Sequence, residues 1–70
     1  MRTFLVCVRG DAYRAKGLLT RAGIQNVAQP QALSERVTAR LACETADSAF
    51  ELVREALAGE GFSVGSARPE

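Results

Sequence analysis

The run Arg2-Thr3-Phe4-Leu5-Val6-Cys7-Val8 constrains this chain more than any other stretch. It is the most continuous apolar segment and is rich in β-branched and aromatic residues. A strand wet on one side alternates apolar with polar positions. An unbroken run places apolar side chains on both faces, as in the central strand of a sheet. The rest of the chain is then material that packs on or beside this strand.

With 70 residues, there is enough chain for one small domain. Such a domain buries only about 60% of its unfolded surface, so partner binding or self-association would add to a modest stability. Hydrophobic residues are 47% and charged residues 24%, an ordinary globular balance. The net charge of +1 conceals an asymmetry. Arg2, Arg9, Arg14, Lys16 and Arg21 outweigh Asp11 in the first 21 residues, while acidic residues prevail in the remainder. Segregated charge favours oriented encounters with charged partners.

Arg9-Gly10-Asp11 forms a turn, with Asp11 suited to cap a helix by accepting a free backbone N–H. Ala12, Ala15, Leu19 and Ala22 recur at helical spacing, and Gly23 supplies the stop. Ile24 to about Gln31 is expected to be a second strand. Pro30 cannot donate to a ladder, so this strand belongs at an edge. Residues 32–35 make the next turn. From Arg36 to Glu44 the chain alternates, with Val37, Ala39, Leu41 and Cys43 on one side and Arg36, Thr38, Arg40 and Ala42 on the other. Thr45 caps a second helix, and Ser48-x-x-Glu51 offers a capping box one turn later. Its apolar stripe is Ala46, Ala49, Phe50, Val53, Ala56 and Leu57, and Gly59 and Gly61 end it. Phe62 to Val64 make a short last strand, and residues 65–70 are expected to be a flexible tail.

The order βαββαβ is α+β and matches the split βαβ, ferredoxin-like arrangement. That arrangement implies a four-stranded antiparallel sheet of order 4-1-3-2 with both helices on one face, here a single domain over residues 1–64. Phe4, Val6, Leu41, Phe50, Val53 and Leu57 are expected to form the core. The open face would carry Thr3, Leu5, Cys7 and Arg9 beside Arg36, Thr38, Arg40 and Ala42. Leu5, Cys7, Arg9, Arg36, Thr38 and Arg40 are therefore the candidate partner-binding residues, an apolar patch edged with arginine, which is enriched at interfaces. The alternative surface is the outer side of the first helix, with Arg14, Lys16 and Arg21.

The chain has no histidine, which removes the commonest general base and metal ligand. Cys7 and Cys43 fall on opposite faces, so they form neither a metal site nor a disulfide. Neither catalytic nor metal-ligating residues are expected, and no cofactor. Heavy-metal domains of this topology carry paired cysteines in the first loop, which here is Val8-Arg9-Gly10-Asp11-Ala12. RNA-recognition motifs stack bases on open-face aromatics, and none is expected there. Acylphosphatases use a first-loop arginine and a second-strand asparagine. Arg14 and Asn26 stand in comparable places, but the glycine-rich phosphate cradle is missing. Two cysteines are too few for a secreted disulfide scaffold, and the apolar run after Met1 is too short for a signal or a membrane span. A cytoplasmic protein is expected.

Residues 4–28 resemble ACT-type regulatory domains in their strand, glycine loop, helix and Ala22-Gly23-Ile24-Gln25-Asn26-Val27 segment. The resemblance implies an amino-acid or similar effector at a homodimer interface near the first loop, although the usual Asp-x-Pro-Gly run is absent. The favoured expectation is a small non-enzymatic protein-binding module that regulates or inhibits a larger protein complex, as phage-type inhibitors such as anti-CRISPR proteins do. An ACT-like small-molecule sensor is the alternative, and a nucleic-acid-binding module the lesser one.

Overall fold

A computed structural model describes residues 1–28 and 36–70. In chain order the elements are β1 (Arg2–Arg9), α1 (Ala12–Arg21), β2 (Gln25–Ala28), β3 (Arg36–Cys43), α2 (Ala46–Ala56), β4 (Ser63–Val64) and β5 (Arg68–Pro69). The strands form one sheet along the path β2-β3-β1-β4, with β5 pairing β1 outside that path. Read from its other edge the path is β4-β1-β3-β2, and every pairing is antiparallel. Among the described residues the chain is thus α+β, with a five-stranded sheet in place of the expected four. β2 occupies an edge. Its expected continuation through Pro30 and Gln31, and the turn at 32–35, lie outside the described residues.

Local chemistry sets the helix ends. The Asp11 carboxylate accepts from the N–H groups of Tyr13 and Arg14 and caps α1. At the other end Gly23 adopts φ +80°, a left-handed conformation that costs glycine little. This lets Gly23 N–H reach Thr20 O and Ile24 N–H reach Leu19 O, closing the helix and turning the chain into β2. Thr45 caps α2 by accepting from Ser48 N–H at 3.1 Å. Ser48 therefore lies inside the helix and does not start it.

Alternation along β1 and β3 builds the core. Phe4, Val6 and Val8 face the helices and are buried, opposite Leu41, Ala39 and Val37. Ala15 and Leu19 of α1, Ala49 and Val53 of α2, and Leu57 at the α2 C-cap close over them. Of the expected core, Leu41 and Phe50 are only half-buried; Leu41 still packs against the core cluster, whereas Phe50 is not part of it. Ala49, Val53 and Leu57 lie four residues apart along one line of α2, and Phe50 sits about 100° around the helix from it. Phe62 is half-buried instead against Gly10, where φ is +139° and an added Cβ would lie 2.6 Å from the Phe62 ring.

The segment expected to be a flexible tail instead carries β5. β4 meets β1 with Val8 opposite Val64, whereas β5 meets it with Leu5 opposite Arg68. Three residues, 65–67, therefore face two on β1, which is a β-bulge opposite Cys7. Gly65 N–H donates to Cys7 O at 2.8 Å, and Glu70 N–H to Thr3 O at 3.0 Å. The bulge lets both Val64 and Ala67 pack on the core although they are an odd number apart. Because Glu70 N–H points at β1, the nitrogen of Pro69 points away from it, so proline is tolerated at this edge.

The packing predicts unequal costs for two truncations. Leu19→Ala removes a fully buried side chain and should cost about 2–5 kcal/mol. Phe50→Ala should cost clearly less. Urea denaturation of both variants checks this order, and a larger loss for Phe50→Ala would contradict the core described.

Candidate interaction surface

The β1–β3 register lines up the uncovered face in rows. Arg9 lies opposite Arg36, Cys7 opposite Thr38, Leu5 opposite Arg40, and Thr3 opposite Ala42. β2 extends two of these rows, with Val27 beside Thr38 and Gln25 beside Arg40. On the far side of β1, Ser63 lies opposite Arg9 and Arg68 opposite Leu5. The six residues singled out from sequence, Leu5, Cys7, Arg9, Arg36, Thr38 and Arg40, thus share one face. Leu5, Cys7 and Thr38 are half-buried, while the arginines and Val27, at 64%, are exposed.

The face has an apolar centre and a basic rim. Arg9, Arg36, Arg40 and Arg68 stand against Glu70, a net +3 among the described residues. Arg9 and Arg36 are directly opposed, and like charges in cross-strand register repel. Arg40 is different. Its Nε donates to Glu70 Oε2 at 2.7 Å and its Nη2 to Glu70 Oε1 at 2.9 Å, a two-pronged pairing that locks both planar groups. These hydrogen bonds hold the Glu70 carboxyl below its ordinary range and the Arg40 guanidinium above its own.

The alternative surface on α1 is divided. Arg14 donates to Glu60, while Lys16 and Arg21 are exposed and without an ion pair among the described residues. Tyr13, 91% exposed, stands beside them. Asn26, from the helix-facing side of β2, donates to Thr20 Oγ1 and Ile24 O. That role ties β2 to α1, away from Arg14. α2 presents the opposite charge, with Asp47, Glu51 and Glu55 exposed and Arg54 bonded to Glu51.

Cys43 is buried on the helix side and Cys7 is half-buried on the open face, so the sheet separates the two thiols. No group of metal-ligating side chains converges among the described residues. No described helix is long and apolar enough to cross a membrane. Arg68, Glu70, Gln25 and Val27 are members of the face that the sequence did not single out. The available signal was the alternation of Arg68 and Glu70 about Pro69, obscured because the bulge shifts it out of phase with Val64. No family model, curated protein or solved structure matches the chain.

The Arg40–Glu70 pair has a defined pH dependence. A carboxyl whose folded pKa is depressed contributes stability above its unfolded pKa and loses it as pH falls through the folded value. Arg40 and Arg68 are the charges flanking Glu70 on this face. Protection of the Glu70 amide against hydrogen exchange should hold at neutral pH and fall at acid pH before the β1–β3 amides open. Equal loss at both places would show that the pair does not fasten β5.

Proposed function

We propose that the chain is a non-enzymatic, ferredoxin-like protein-binding module whose fourth strand is broken by the bulge into β4 and β5. It works by docking the open sheet face onto an acidic surface of a larger protein, as a regulator or inhibitor would. The observation that carries this reading is the Arg9–Arg36 opposition at the end of an apolar row. Two guanidinium groups held in cross-strand register cost the free protein energy, and a partner's carboxylates would turn that cost into attraction. Leu5, Cys7 and Val27 supply the apolar contact that an interface centre needs.

Two features favour protein over nucleic acid. The described open face carries no aromatic side chain on which a base would stack, and α2 is acidic. The ACT resemblance would place an effector at the first loop, where Phe62 already lies against Gly10.

The test compares two charge reversals against the protein that co-purifies with the wild-type chain. Arg9→Glu with Arg36→Glu should weaken that complex at least about tenfold, or 1.4 kcal/mol, with an unchanged circular dichroism spectrum. Arg14→Glu with Arg21→Glu should bind as the wild type does. The reverse pattern would move the interface to α1, and tight binding of a single-stranded oligonucleotide abolished by the first pair would make the partner a nucleic acid.

A further inference from the structure

Arg40 alone among the four arginines of the face holds a carboxylate among the described residues. The carboxylate arrives in a particular way. Glu70 runs along the outer edge of β1, its N–H bonded to Thr3 O. Its side chain then crosses the face to Arg40 of β3, whose row partner on β1 is Leu5. An extended segment is thus laid against β1 with one acidic side chain reaching across it. The segment is minimal: two paired residues beyond a bulge, both exposed.

We infer that β5 and Glu70 are a built-in occupant of the docking site, and that the partner presents an extended acidic segment that replaces β5 on β1 and places its own carboxylate on Arg40. This rests on the open face being the interface and specifies the partner's chemistry. Three arguments support it. The β1 edge beside Thr3 and Leu5, once uncovered, offers main-chain donors and acceptors to an added strand. Arginine takes a carboxylate through two parallel hydrogen bonds, a geometry that Glu70 already realises. Removal of β5 also leaves Arg9, Arg36 and Arg40 with no acidic neighbour among the described residues of the face. Glu70 is accordingly an autoinhibitory residue, and a competing segment gains what Glu70 gives up.

The experiment uses the full chain and a pentaglutamate peptide as the probe, followed by amide and arginine Nε shifts in nuclear magnetic resonance spectra. Glu70→Gln should bind the peptide at least tenfold more tightly than the wild type, with shifts at Thr3, Leu5 and Arg40. Adding Arg40→Gln to Glu70→Gln should erase that gain. Equal affinity of wild type and Glu70→Gln, shifts confined to α1, or no binding to either protein would overturn the inference. Loss of the natural partner by Arg9→Glu with Arg36→Glu, alongside equal peptide affinities, would leave the docking face standing and remove only the self-occupancy.

Discussion

The ladder between β1 and β3 decides what every other part of this molecule is. Eight residue pairs run from Arg2–Cys43 to Arg9–Arg36 without a break. Because side chains alternate, that single register sends Phe4, Val6, Val8, Val37, Ala39 and Cys43 under the helices and Leu5, Cys7, Arg9, Arg36, Thr38 and Arg40 to the open side. A slip of one residue would exchange the two sets and put arginines in the core. The cost of burying unpaired guanidinium groups makes such a slip prohibitive. The same apolar packing that stabilises the domain therefore fixes the composition of its exposed face.

The opposite edge of β1 is treated differently. β4 and β5 share it, but a bulge at 65–67 offsets their registers by one residue. The offset keeps Val64 and Ala67 on the core while turning Arg68 and Glu70 to the open face. A short, bulged, proline-bearing edge is also a poor template for uncontrolled strand addition. One local irregularity thus serves packing, charge placement and edge protection together.

The sequence revealed those parts that depend on periodicity. The two-faced apolar run of β1, the alternation of β3, the Asp11 and Thr45 caps and the Gly23 stop all act over a few residues, and each is legible in the residues that make it. Periodicity alone puts Phe50 in the core, because it lies on the apolar stripe of α2. How much of a stripe is buried depends on how the helix is rotated over the sheet, and that is a tertiary property. β5 is not legible in the sequence for a related reason. Arg68-Pro69-Glu70 has no apolar alternation, and only the pairing of Arg68 and Pro69 with β1 makes a strand there. The six open-face residues were legible because they are the complement of the core. The directly opposed Arg9 and Arg36 needed the register.

If the open face is where this protein meets its partner, its centre should become inaccessible in the complex. Cys7 sits at that centre, and buried Cys43 provides an internal control. The most direct measurement is the alkylation rate of each thiol by a small iodoacetamide, read by mass spectrometry on free and partner-bound protein. The account predicts that Cys7 reacts in the free chain and slows at least tenfold in the complex, with Cys43 slow in both. Cys7 alkylation at the same rate in both states would contradict it.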